Sequence, residues 1–219
     1  MDSILTKQQV LALKLLAKTN LAKKFYFSGG TVLSHFYLQH RKSEDLDFFC
    51  QEEFDPQSII VALKSLKKDL GFNSVDFQNS FNRNLFFLRF NNDYILKLEF
   101  TYYPFQQIEV PKVKDGLMVD SAIDIAVNKL FTIAQKPRGR DYFDLYCLIQ
   151  KYGYKTENLR MMAKQKFDWH VDPLQLASRF NEVDNHLDDP IIVQEIKKVR
   201  LAEFFHQEAI NFKNEIIRK

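Results

Sequence analysis

Between Leu5 and Lys18, leucines at positions 11, 13, 15 and 16 alternate with Lys and Gln, the spacing of a helix with one apolar stripe and a solvated face opposite. Phe25-Tyr26-Phe27 is a short aromatic run that enters Ser28-Gly29-Gly30-Thr31, after which Val32, Leu33, Phe36 and Tyr37 recur at helical spacing. That order predicts strand, glycine turn, helix. A polar, basic stretch from Gln39 to Glu44 leads to Asp45-Leu46-Asp47-Phe48-Phe49-Cys50. Alternation there predicts a second strand with both aspartates on one face and Leu46 and Phe48 on the other. Pro56 opens a helix to about Leu70.

Three further strands are predicted over 74–78, 85–90 and 94–100, the last two joined by the turn-forming Asn91-Asn92-Asp93. They extend the same sheet. A loop with Pro111 and Gly116 follows Pro104, and from Ser121 onward the pattern is helical. Helices are expected over 121–134 and 141–152, then three or four more from Thr156 to the end, broken at Pro173 and Pro190. The expected organisation is an α/β core over 1–120 and a helical lobe over 121–219 that completes a cleft. A chain of 219 residues is long enough for both.

Composition narrows the class. With 46% hydrophobic and 27% charged residues and only 6 Gly and 6 Pro, most of the chain reads as folded. Its 21 Phe, several in pairs, read as core filling. Against 28 acidic residues there are 31 basic ones, a net charge of +3, so the whole chain is no polycation and any RNA contact must be local. Cys50 and Cys147 lack CxxC spacing and sit in apolar surroundings, which predicts buried free thiols in a reducing compartment. Met1-Asp2-Ser3-Ile4 does not begin a secretory leader, and no apolar run approaches about 18 residues. A cytoplasmic protein with no membrane segment is expected.

The candidate chemistry starts at Gly29-Gly30-Thr31, where missing β-carbons let backbone N–H groups approach a phosphate at a helix N-terminus. A glycine pair at such a junction is more often only a turn. Its partner is Asp45-Leu46-Asp47, whose adjacent carboxylates repel unless a cation such as Mg²⁺ lies between them. Glu99 is the best third acid, to complete a metal site or accept a proton; its other reading is a surface pair with Lys97. Lys129 follows an apolar stripe and needs a polar destination, either a triphosphate in a cleft or solvent. Asp141 and Asp144 share a helix face, with Asp141 also suited to an N-cap. Lys23, Lys24, Arg41, Lys42, Lys136, Arg138 and Arg140 either line a cleft mouth for RNA or are ordinary surface. No histidine has metal-ligand spacing.

Gly29-Gly30-Thr31, then Arg41-Lys42-Ser43-Glu44-Asp45-Leu46-Asp47-Phe48-Phe49, then Lys129 and Arg140-Asp141-Tyr142-Phe143-Asp144-Leu145-Tyr146 together resemble the AbiEii/AbiGii-type nucleotidyltransferases. These are toxin components of bacterial toxin–antitoxin and phage-defence systems. The resemblance runs over about residues 24–150 and implies a polymerase-beta-like mixed α/β sheet with flanking helices, followed by a helical C-terminal lobe. It implies an NTP and Mg²⁺ in the cleft and, in some members, transfer of nucleotides to tRNA, with an antitoxin protein as a possible partner. Residue by residue, Ser28, Gly29, Gly30 and Thr31 fall on the phosphate turn, Asp45 and Asp47 on the metal-binding acids, and Lys129 on the NTP-contacting lysine. Asp144, with Asp141 beside it, falls on the last acidic motif, and Arg41 and Ser43 on the loop before the acids. Glu99 departs from the family, many members of which have Asp there. Two other classes compete: a non-catalytic nucleotide- or RNA-binding module of the same fold, and a protein whose helical tail holds a partner.

Overall fold

The computed structural model describes residues 4–91, 93–187 and 198–217. The expected break at Pro190, the middle of the Asn91-Asn92-Asp93 turn and the first three residues of the N-terminus lie outside the described residues. The chain forms two compact units: residues up to Tyr37 with Ser43–Ser121, and Leu38–Lys42 with the residues from Ala122 onward. Among the described residues no helix is long and apolar enough to cross a membrane.

In the first unit α1 (Lys7–Leu16) opens with a capping box: Thr6 accepts from the Gln9 backbone N–H, and the Gln9 side chain returns to Thr6. A short α2 (Leu21–Lys24) precedes β1 (Tyr26–Ser28), which turns at once into α3 (Gly29–Val32) and a π-helical segment, Leu33–Leu38. β2 (Leu46–Cys50) alternates as expected, with Leu46, Phe48 and Cys50 buried. α4 (Pro56–Leu70) has Asp55 as N-cap, Pro56 in its first turn and Gly71 as a left-handed C-cap.

β3 (Ser74–Ser80), β4 (Arg83–Arg89) and β5 (Ile95–Tyr102) follow as an antiparallel meander. The stretch expected to be only loop holds a hairpin, β6 (Lys112–Lys114) and β7 (Leu117–Val119), turning at Asp115-Gly116, both at positive φ. Its strands are too short to show a period, although Asp-Gly is itself a hairpin signal. Among the described residues the seven strands form one mixed sheet in the order β3-β4-β5-β2-β1-β7-β6, with β2 parallel to β5 and β1 parallel to β7. Phenylalanines fill its core. Phe100 meets Phe25 and Phe48 at ring distances of 5.0 Å, and Phe48 stacks on Phe27. Such contacts add about 0.5–1.5 kcal/mol each beyond burial.

The second unit is helical: α5 (Ala122–Gln135), α6 (Gly139–Tyr152), α7 (Thr156–Phe167), α8 (Pro173–Asn181) with a 3₁₀ turn over Glu182–His186, and α9 (Lys198–Ile217). Tyr142, Phe180 and Phe205 are fully buried and pack together, with Phe205 5.1 Å from each of the other rings. Lys166 and Asp124, both buried, pair at 2.7 Å.

Candidate active site

The glycine turn and the two aspartates come together within the first unit. β1 and β2 are antiparallel neighbours that set Ser28 opposite Asp47, and β2 and β5 set Asp47 opposite Glu99. Gly29 has φ +78°, and a β-carbon there would run into the Asp47 carboxylate. Glycine is therefore required twice, for the left-handed backbone and for the close approach. Asp47, on the polar face of β2, and Asp45, the residue just before that strand, are both half-buried.

Hydrogen bonds hold the turn from three sides. The Thr31 hydroxyl donates to the Asp45 carbonyl and meets Ser43 Oγ at 2.8 Å, locking the loop before the acids to the turn. Gln9, buried on α1, donates to the carbonyls of Ser43 and Glu44 at 2.8 and 3.0 Å. Asp120, at the exit of β7 and fully buried, accepts from the Ser28 hydroxyl at 2.7 Å and from Gln107 at 3.0 Å. Its backbone N–H donates to Phe27 and its carbonyl accepts from the Tyr37 hydroxyl. Asp120 thus fastens both flanks of Gly29-Gly30.

Cations of the sheet engage Asp45 and Glu99. Lys97 Nζ lies 2.8 Å from Asp45 Oδ2 and 3.7 Å from Glu99 Oε2. Arg83 grips Glu99 with Nε and Nη2, both at 2.6 Å, and Thr101 donates to the same carboxylate. Burial works to raise the Glu99 carboxyl, but the hydrogen bonds and charge of Arg83, helped by Lys97 and Thr101, hold it below its ordinary value. As the alternation implied, Lys97 and Glu99 share the face opposite Leu96, Leu98 and Phe100, which are fully buried. Arg83 is the partner that pattern did not reveal. Among the described residues no three His, Cys, Asp or Glu side chains are arranged to hold a metal. The carboxylates of Asp47 on β2 and of Asp45 just before it fit one divalent cation whose other ligands are phosphate and water; the engaged Glu99 does not fit a third ligand.

Lys129, Asp141 and Asp144 lie in the second unit. Lys129 is buried, and the polar destination it needs is a pair of carboxylates, Asp141 at 2.8 Å and Asp144 at 2.6 Å. Asp144 is completely buried and also takes both Arg41 Nε and Nη2, at 2.6 and 2.8 Å, and His40 Nε2 at 2.7 Å. Burial opposes its ionisation, yet the charges of Lys129 and Arg41 and the hydrogen bonds from Arg41 and His40 hold it well below the ordinary range. Because an ionised Asp144 only accepts, His40 carries its proton on Nε2. Burial keeps His40 below its usual pKa, hence neutral at pH 7. Asp141 is not the N-cap; Arg138 holds that position, and the Asp141 side chain accepts from Lys129 and Arg138 instead. Arg41 and Arg138 are thus occupied, whereas Lys23, Lys24, Lys42 and Lys136 are exposed. Cys50 and Cys147 are buried free thiols, as expected, and burial pushes Cys147 up to about 12.

A mixed seven-stranded sheet whose glycine turn packs against an aspartate pair at the start of β2 is a nucleotidyltransferase fold, and solved structures match it along nearly the full chain. A candidate nucleotidyltransferase from H. pylori has a TM-score of 0.62 at 20% identity, with 97% of this chain and 94% of that one covered. JHP933 from Helicobacter pylori has a TM-score of 0.60 at 22% identity, over 97% and 91%. An uncharacterized protein of Aquifex aeolicus (strain VF5) is 30% identical over 167 residues, 74% of this chain and 76% of that protein. Residues 11–216 match the family described as "Nucleotidyl transferase AbiEii toxin, Type IV TA system". The chain belongs to the AbiEii nucleotidyltransferase family.

Proposed function

We propose that this protein moves a nucleoside monophosphate from an NTP to a hydroxyl of RNA, in a Mg²⁺-dependent reaction, as the cytoplasmic toxin of a toxin–antitoxin pair. The observation that supports the reading is the packing of the Asp47 carboxylate directly against Gly29, so that the glycine turn, which would bind phosphate, lies beside Asp47 and the adjoining Asp45. The backbone of Gly29-Gly30 would approach the phosphates, Asp45 and Asp47 would hold the cation, and Thr31 and Ser43 would keep turn and acids in register. The cation would neutralise the triphosphate and orient it. The acceptor oxygen bonds to the α-phosphorus, the bond from that phosphorus to the bridging oxygen breaks, pyrophosphate leaves and the acceptor proton is lost to water. Positioning and electrostatics supply most of the rate.

Lys129, Asp141 and Asp144 take a positioning role in this reading. Their charges are spent on one another, on Arg41 and on Arg138, so they fasten the Leu38–Lys42 segment to α6. RNA, with tRNA as the class the family resemblance suggests, is the acceptor we favour.

The engagement of Glu99 by Arg83 favours a second reading, a nucleotide-binding module without turnover. Pyrophosphate release from NTP and total RNA separates the two. Release that requires Mg²⁺ and vanishes in Asp47→Asn supports transfer, whereas NTP-dependent thermal stabilisation without pyrophosphate would establish the binder.

A further inference from the structure

Glu99 stands directly opposite Asp47 on the neighbouring parallel strand, where a third carboxylate would help bridge a pair of divalent cations about 3.5–4 Å apart. In this chain that place is filled by the protein's own charges. Both Glu99 oxygens face Arg83, one of them also accepts from Thr101, and the Lys97 ammonium sits between Glu99 and Asp45. The Lys97 backbone is held in the sheet: its neighbours Leu96 and Leu98 are fully buried in the core, and β5 is paired on both edges. The side chains of Lys97 and Asp45 are 24% and 28% exposed, so the ammonium is partly desolvated against the carboxylate.

We propose that Lys97, backed by Arg83 on Glu99, takes the place of a second divalent cation, so that the chain holds a single divalent ion on Asp45 and Asp47. A fixed ammonium supplies positive charge beside Asp45 without depending on metal concentration. Three carboxylates facing two built-in cations leave little negative charge to draw in two metal ions. The remaining lone pairs of Asp45, together with Asp47, suit one cation whose other ligands come from phosphate and water. Lys97 is a positioning residue here, and the inference rests on the reading of Asp45 and Asp47 as the metal-binding pair.

The test counts metal. The full chain is loaded with Mn²⁺ and each of the four α,β-methylene nucleoside triphosphates in turn, rapidly desalted, and analysed for manganese per chain and by electron paramagnetic resonance. One Mn²⁺ per chain with the spectrum of an isolated ion is expected. In the Lys97→Met/Arg83→Met variant a second Mn²⁺ and a spin-coupled spectrum are expected, because Asp45 and Glu99 then lose their cationic partners. Two coupled Mn²⁺ in the unmutated chain would overturn the single-ion site while leaving nucleotidyl transfer standing. A double variant that melts like the unmutated chain and still holds one Mn²⁺ would overturn the role of Lys97. No Mn²⁺ retained with a bound analogue would overturn both this inference and the metal-binding reading; the unmutated count decides the matter even if the double variant does not fold.

Discussion

The Asp47 carboxylate occupies the space that a β-carbon on Gly29 would need. The phosphate turn and the acid pair are therefore one packed unit, and a single methyl group disturbs both. Gly29→Ala forces an L-residue to φ +78° and pushes Asp47 aside. The expected cost is about 1–2 kcal/mol of stability from the backbone alone. Displacing Asp47 by a fraction of an ångström to an ångström should cost about 10²-fold in transfer rate. Thermal denaturation and single-turnover kinetics of that variant read the two losses separately.

Asp120 should matter for nucleotide affinity although it lies outside every motif read from the sequence. It accepts from Ser28 on one flank of the turn and from Tyr37 on the other. Asp120→Ala leaves the Ser28 hydroxyl without this buried acceptor, an expected loss of about 1–3 kcal/mol, with a several-fold rise in the KM for NTP. Tyr37→Phe removes one bond and should cost about 1 kcal/mol. Equal KM values in Asp120→Ala and the unmutated chain would show that the clamp does not shape the turn.

Glu99 and Asp47 should behave differently on removal of charge. Glu99→Gln keeps the side-chain volume and is expected to leave Mn²⁺ affinity within about threefold while lowering stability by about 1 kcal/mol, since Arg83 is half exposed and its pair partly screened. Asp47→Asn should weaken Mn²⁺ binding at least tenfold, a loss of about 1.4 kcal/mol. Calorimetric titration with Mn²⁺ checks both.

Asp144 ties acid stability to the second unit. Its folded pKa lies well below the ordinary 3.8, so it stabilises the fold fully above that value and the contribution is lost as pH falls below it toward the folded pKa. Asp144→Ala removes the buried carboxylate that Arg41, Lys129 and His40 share, with an expected loss of about 3–5 kcal/mol at pH 7. Asp144→Asn should also flatten the acid limb of the stability curve. Urea denaturation of both variants between pH 7 and pH 3 follows the effect.

The fold class was legible because its signals are local. The paired glycines at the end of an aromatic strand, the Asp45-Leu46-Asp47 alternation and the β4 and β5 periods each lie within a few residues. What escaped was set by pairing across the chain. Arg83 reaches Glu99 only because β4 and β5 are antiparallel neighbours in that register. Asp120 meets Ser28 only because β7, three residues long, lies against β1. The destination of Lys129 was also hidden. Its partners Asp141 and Asp144 were visible as a helix-face pair, but that α5 faces α6 so as to bury all three charges follows from tertiary packing rather than from spacing. The turn of π-helix over Leu33–Leu38 left the apolar spacing nearly helical, so the pattern read it as ordinary helix.

The central claim is that Asp45 and Asp47 serve nucleotidyl transfer. Each α-labelled NTP is incubated with the purified protein, Mg²⁺ and total RNA, beside the Asp45→Ala/Asp47→Ala variant. Label entering a discrete RNA band with the unmutated protein and absent with the variant is the predicted result, and the band identifies base and acceptor class. Equal labelling by a folded variant would contradict the assignment of the aspartates, and absence of label with all four nucleotides, despite measurable NTP binding, would contradict transfer to RNA.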